Sequence, residues 1–159
     1  MLTQLRNRAF YAEELNRLTR KGPWPLSIIA IDLNGLKAVN DEQGHAAGDS
    51  MLRRVGEVLA KAVDAPACAA RIGGDEFTVL LPGTEERGAH ALQERIISML
   101  DLNNQFYPGQ PLSLAMGIAN CQSGDGVEAA IHRADQAMYA EKNRYYQQKN
   151  NDRRQPAGA

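Results

Sequence analysis

Asp32, Asp75 and Glu76 are the residues of this chain whose types and surroundings most directly imply chemistry. Asp32 closes an otherwise apolar run, Leu26 to Leu33 (LSIIAIDL), that reads as a strand. Its carboxylate must therefore find a cation, a ring of donors, or water at the end of a sheet. Asp75 and Glu76 follow Gly73-Gly74 at the tip of an expected hairpin between two apolar segments. If that hairpin pairs beside the first strand, three carboxylates converge at one sheet end. Clustered carboxylate oxygens suit a hard cation such as magnesium, whose usual partners are phosphates. Each acid alone has an ordinary structural reading, Asp32 as a helix cap and Asp75 as a turn former. Together, beside a glycine pair, the metal reading overtakes the ordinary one.

A second polar group lies between them: Lys37, Asn40, Asp41, Gly44, His45, Gly48 and Asp49. Asn offers an acceptor and donors, and Asp offers two acceptors. That set suits a guanine edge, where O6 and N7 accept while N1–H and the exocyclic amine donate. It equally suits loop and helix-cap residues, and spacing alone does not choose between them. The chain has no GxxxxGK[ST] phosphate loop and no GxGxxG fingerprint, so P-loop and Rossmann readings lose their main support. It has no GxSxG elbow either, which weakens a hydrolase reading.

The elements that must position these residues follow from periodicity and punctuation. Thr3 is expected to cap a first helix, with Leu5, Ala9, Tyr11, Leu15 and Leu18 as its apolar side, running to about Arg20 before Gly22-Pro23. The Leu26 to Leu33 run, rich in β-branched residues, reads as a strand buried on both faces. Gly44 and Gly48 interrupt the next stretch. From Asp49 onward, Met51, Leu52, Val55, Val58, Leu59, Ala62 and Val63 recur at helical spacing. Ala67 to Ile72 and Phe77 to Leu81 form the hairpin, with Gly73-Gly74 expected to supply positive φ in a tight turn. Thr84 is expected to cap a helix lined by Ala89, Leu92, Ile96 and Leu100, and Pro111 to Ala119 is a further strand. Asp125 and Glu128 have the spacing of a capping box for a last helix lined by Val127, Ile131, Ala134 and Met138. Strands alternating with helices, plus one hairpin, indicate an α+β (α/β sandwich) fold with helices on a central sheet. Residues 1–148 read as one domain and 149–159 as a disordered polar tail.

The 159 residues suffice for one domain with its own core. A net charge of −1, with no basic stripe, gives no field for gathering nucleic acid. Cys68 and Cys121 are too few for a disulfide framework or a zinc site. No apolar run reaches membrane-spanning length and Met1 is followed by polar sequence, so a cytoplasmic domain without direct membrane contact is expected, although a longer parent protein could be membrane-anchored.

Gly73-Gly74-Asp75-Glu76-Phe77 is itself the GGDEF string, with Arg71 before it. It follows Asp32-Leu-Asn-Gly-Leu-Lys37-Ala-Val-Asn40-Asp41, then Gly44-His45 and Gly48-Asp49. Leu2-Thr3, Leu5 and Asn7-Arg8 open the chain, and Arg133-Ala134-Asp135 through Tyr139 and Lys142 close it. These four blocks, in this order up to about residue 146, resemble the GGDEF-domain diguanylate cyclases. The resemblance implies a polymerase-palm or nucleotidyl-cyclase-like domain with a central, mostly antiparallel sheet flanked by helices. It implies condensation of two GTP into cyclic di-GMP plus two pyrophosphate, for second-messenger signalling. Asp32, Asp75 and the Leu33 carbonyl would ligate magnesium, with manganese as a possible substitute. Asn40 and Asp49 would read guanine, with Leu52 walling the pocket. Backbone N–H groups at Gly35 and Leu36 would cradle phosphate oxygens. Lys37 would offset transition-state charge, Lys142 would hold the terminal phosphates, and Asp75 or Glu76 would accept the proton. The resemblance also implies a homodimer, because each domain holds one GTP, and an upstream regulatory domain in the parent protein.

The chain departs from that pattern in places. Asn34 stands where the family usually has an acid, and Gly35 or Leu36 where it often has an aromatic. Tyr146 replaces an Arg four residues after Lys142, while Arg144 points to another side of the helix. The opening block lacks its leading Asp. Asp64-Ala-Pro-Ala67 replaces the RxxD feedback motif, so weak or absent product inhibition through that segment is expected. A catalytically weak or degenerate module that binds GTP or cyclic dinucleotide and regulates a partner is the alternative. A palm-like transferase acting on another nucleotide is a third, which Asp49 disfavours because its carboxylate suits guanine's donors.

Overall fold

The central strand explains why the sheet is built as it is. β1 (Leu26–Leu33) is buried at all eight positions, because it is hydrogen-bonded on both edges and covered by helices on both faces. The computed structural model describes residues 3–107 and 109–154; Leu2 of the opening block and residues 155–159 of the expected tail lie outside them. In chain order the elements are α1 (Arg8–Lys21), β1, α2 (Leu36–Gln43), α3 (His45–Ala62), β2 (Cys68–Arg71), β3 (Glu76–Leu81), α4 (Glu86–Phe106), β4 (Leu114–Cys121), a 3-10 turn (Gly124–Gly126) and α5 (Val127–Arg154). The sheet order is β2-β3-β1-β4 and every strand pair is antiparallel.

Alternation along β1 sorts its side chains between two cores. Ile29, Ile31 and Leu33, with Phe77, Val79 and Leu81 of β3, pack against Val39 of α2, Val55 and Leu59 of α3 and Ile96 of α4. Leu26, Ile28 and Ala30, with Leu80, Ala115 and Ala119, pack against Leu18 of α1 and Ala130, Ala134 and Met138 of α5. Each large apolar side chain so buried contributes about 1.5–3 kcal/mol of transfer free energy. Asp32 falls in the second row, at its end, and so faces α5. Gly117 lets α5 come close: a Cβ there would stand 2.1 Å from the Ala134 carbonyl oxygen.

Several boundaries differ from the sequence reading. α1 is capped by Asn7, whose Oδ1 accepts from the Phe10 N–H at 2.9 Å. Thr3 is instead buried against Gly56 of α3, where it cannot reach a helix start. Only Gly44, at φ 89, breaks the chain after α2; Gly48 lies inside α3. Glu85 holds the N-cap position of α4, while the Thr84 hydroxyl donates to the Pro82 carbonyl at 3.0 Å. β4 begins at Leu114, because the Leu112 N–H is taken by the Asn104 side chain at 2.7 Å. α5 continues to Arg154, into the segment expected as a polar tail; no Gly or Pro occurs between Val127 and Gln155 to stop it. Cys68 and Cys121 lie on the two edge strands as free thiols. No helix among the described residues is long and apolar enough to cross a membrane.

One contact ties the start of the chain to the hairpin. Arg6 bridges to Ala70 in parallel fashion, and the Arg71 N–H donates to the Arg6 carbonyl at 2.9 Å.

Candidate active site

The hairpin and β1 bring their acids to the same sheet end. Asp32 pairs in register with Glu76, and the Leu33 N–H donates to the Asp75 carbonyl at 2.9 Å. That bond fixes the hairpin turn against the end of β1. From α5, Lys142 Nζ donates to Asp32 Oδ2 at 2.7 Å and stands 3.6 Å from Asp75 Oδ2. One ammonium thus spans two carboxylates. Asp32 is 2% exposed, and its Oδ1 has no hydrogen-bond partner. Asn34, also buried, donates through Nδ2 to Ser113 Oγ at 3.0 Å and leaves its own Oδ1 unpartnered. Two buried acceptors without donors at one strand end are costly unless something outside the protein satisfies them.

The convergence of three carboxylates is not what the structure shows. Among the described residues no three His, Cys, Asp or Glu side chains come together as a metal-holding group. Glu76 is half-buried on β3, and its Oε2 lies 4.0 Å from where a Cβ on Gly73 would stand, toward its own turn. The pair that meets is Asp32 and Asp75.

Burial pushes the Asp32 carboxyl up to about 6; the Lys142 hydrogen bond works against that rise and the neighbouring Asp75 carboxylate adds to it. For Lys142, burial lowers the ammonium's pKa, but the bond to Asp32 and the charges of Asp32 and Asp75 outweigh it and leave it raised. The ammonium is therefore held as a cation between the acids.

The turn before Asp75 is built differently from the expectation. Neither Gly73 nor Gly74 has a positive φ. The bend is closed by the Ile72 N–H on the Glu76 carbonyl at 2.8 Å, and the Arg71 guanidinium donates to the carbonyls of Gly73 (3.1 Å) and Gly74 (2.8 Å). A Cβ at Gly74 would meet nothing within 4 Å. The room beside this glycine is not filled by the chain's own atoms.

After β1 the chain turns through Gly35, at φ 78 in the left-handed region that favours glycine. The Gly35 N–H donates to the Tyr146 hydroxyl at 3.3 Å. Further along, α2 and α3 pack closely at Asn40 and Gly48: a Cβ on Gly48 would fall 1.8 Å from Asn40 Oδ1 and 3.1 Å from Leu36 Cδ1. Asp49 is half-buried in the next position, Leu52 is buried in the core beneath, and Lys37 is exposed in the first turn of α2. The structure thus gathers Asp32, Leu33, Gly35, Asp75 and Lys142 about the end of β1, and sets Asn40, Gly48 and Leu36 together at the α2–α3 junction. Two concavities of about 450 and 500 Å³ lie elsewhere, between α3 and α4 and between α1 and the start of α5, and none of Asp32, Asp49, Asp75 and Glu76 lines them.

Sequence reasoning passed over Ser113 as a partner of the β1–α2 turn, Arg71 as the prop of the hairpin bend, and Tyr146 as a neighbour of Gly35. Only Arg71 carried a local signal, its position just before the glycine pair.

The fold is a four-stranded antiparallel sheet covered by helices, with one acid ending an interior strand and another on the adjoining hairpin. A family model described as "Diguanylate cyclase, GGDEF domain" matches residues 1–148. The chain is 36% identical over 147 residues to diguanylate cyclase DgcP of Pseudomonas aeruginosa, covering 89% of this chain and 22% of that protein. It is 31% identical over 144 residues to diguanylate cyclase DgcS of Shewanella oneidensis, covering 89% and 48%. Among solved structures, the coiled coil and GGDEF domain of DgcB from Caulobacter crescentus in complex with c-di-GMP superposes with a TM-score of 0.81 at 26% identity, covering 89% of this chain and 78% of that one. The chain belongs to the GGDEF diguanylate cyclase family. It spans 22% and 48% of the two curated relatives just described.

Proposed function

We propose that this chain is the catalytic domain of a diguanylate cyclase, condensing two GTP into cyclic di-GMP and two pyrophosphate. The observation that carries the reading is the acid pair: Asp32 and Asp75 lie close enough to share one ammonium at 2.7 and 3.6 Å, with Asp32 Oδ1 buried and unpartnered. A position held between two carboxylates suits a hard divalent cation. The donor set fits magnesium, or manganese in its place, with Asp32, Asp75 and the Leu33 carbonyl as ligands. Such an ion, when bound, would neutralise phosphate charge and lower the barrier to phosphoryl transfer.

The chain's own groups supply the rest. Asn40 and Asp49 hydrogen-bond the guanine edge, and Leu36 and Leu52 wall the base. The amides at Gly35 and Leu36 meet phosphate oxygens at the start of α2. Lys37 and Lys142 offset charge on the triphosphate, which requires Lys142 to leave the acid pair. Asp75 or Glu76 accepts the proton of one ribose 3′-hydroxyl, whose oxygen then bonds to the α-phosphorus of the other GTP as the bond to pyrophosphate breaks. Two such steps close the ring, so two copies of the domain must face each other. A GTP-consuming domain would work in the cytoplasm, where GTP is found, and an upstream regulatory segment would control the pairing.

The test is direct. Purified protein with GTP and magnesium should yield cyclic di-GMP by chromatography, and ATP should be ignored. Asp75→Ala should lose about 10³-fold or more in rate, the scale of removing one key transition-state contact. Nucleotide binding without product at high protein concentration would instead favour the regulatory-module reading.

A further inference from the structure

Resting on the nucleotide site just proposed, we infer that the Tyr146 hydroxyl occupies the phosphate position on the Gly35 amide when nucleotide is absent, and that triphosphate must displace it. Gly35 is the N-cap of α2 and has no side chain with which to cap that helix start. Amides at a helix start lack intrahelical acceptors and favour an anion. The Gly35 N–H has instead recruited a neutral phenol oxygen, at a long 3.3 Å. A phosphate oxygen is charged and makes a shorter, stronger bond to such a donor.

The partner is well placed to give way. Tyr146 is 40% exposed, so its ring can turn into water without opening the core. It is held by an edge-on contact with Tyr145, their ring centroids 5.2 Å apart. The Tyr145 hydroxyl lies 3.5 Å from where a Cβ on Gly35 would be, an ordinary van der Waals distance, so both tyrosines border this turn.

Tyr146 lies one helical turn beyond Lys142, on the same face of α5. That face therefore covers both charged positions of the site at once. The Lys142 ammonium sits where a cation would bind, between Asp32 and Asp75, and the Tyr146 oxygen sits where an anion would. The last helix thus offers the site its own side chains, and nucleotide binding would exchange both contacts.

The test measures binding rather than turnover. Calorimetry with magnesium and α,β-methylene-GTP, which cannot release pyrophosphate, is run on the whole chain and on Tyr146→Phe. The Phe ring keeps the edge-on packing and removes only the competing oxygen. Affinity should tighten about threefold to tenfold, the scale of one net hydrogen bond, while guanosine, which has no phosphate, should bind both proteins equally. Unchanged or weaker binding by Tyr146→Phe, with wild type binding normally, would overturn the inference and make the hydroxyl a phosphate ligand or a bystander. Equal tightening toward guanosine would also overturn it, because the effect would then not act through phosphate. If neither protein binds the analogue, the nucleotide-site reading falls, and this inference with it.

Discussion

Burial makes the Asp32 charge costly. Its carboxyl is held at about 6, above its ordinary 3.8, so the folded state binds the proton more tightly than the unfolded chain does. That preference stabilises the fold fully below about pH 4 and is lost as pH rises through about 6. Asp32→Asn keeps the shape and removes the charge, and Lys142 retains Asp75 at 3.6 Å. Thermal unfolding without metal should therefore show Asp32→Asn melting about 2–6 °C above wild type at pH 7–8, with the gap closing by about pH 4. A gap independent of pH would contradict this account. The same protonation should weaken manganese binding below about pH 6, which calorimetry can follow. Asp32 and Asp75 were legible in the sequence because a carboxylate ending an apolar strand, and one beyond a glycine pair, each demand a reason for being there. The Asn34–Ser113 and Gly35–Tyr146 contacts were not legible: they join residues 79 and 111 positions apart, and nothing local marks either partner.

Between elements, two glycines, Gly48 of α3 and Gly117 of β4, permit close approach with different consequences. An Ala at position 48 would press on Asn40 Oδ1, the end of a short side chain that can rotate away. Gly48→Ala also favours the helix by up to about 1 kcal/mol. Its stability in urea should stay within about 1 kcal/mol of wild type, while GTP affinity falls about tenfold as Asn40 is turned from the base. At Gly117 the obstacles are backbone, the Ala134 carbonyl oxygen at 2.1 Å and the Met138 nitrogen at 2.4 Å. Gly117→Ala should cost about 3 kcal/mol or more in the same titration, since α5 must lift from the sheet. The strands and helices themselves were readable, because their apolar period is set by the faces they bury. Their first residues were less so. A cap depends on which side chain can reach a free N–H, and Thr3, a good capping residue, is spent against Gly56 while Asn7 does the work. The glycine pair at 73 and 74 misled for a related reason: the turn is held by Arg71 and needs no positive φ.

For the molecule as a whole, one copy presents one acidic sheet end, and the proposed joining of two equal nucleotides would require two. Specific activity should fall on dilution toward a second-order dependence on protein, measured as product per protein across a concentration series; a constant value down to dissociation would contradict the paired site. The loop at Asp64 to Ala67 is closed by the Ala67 N–H on the Asp64 carbonyl at 3.1 Å, and Asp64 lies 3.9 Å from Arg95. Asp64→Ala should leave cyclic di-GMP inhibition unchanged; inhibition that depends on this loop would refute that. Finally, the backbone of Arg71 is bound to Arg6 while its guanidinium grips the carbonyls of Gly73 and Gly74. The same residue is thus a lever with one arm on the segment leading into α1 and the other on the bend that carries Asp75. A shift of that leading segment would therefore be felt at the bend carrying Asp75 through a single amino acid, alongside the core contact that Leu5 makes next to Arg6.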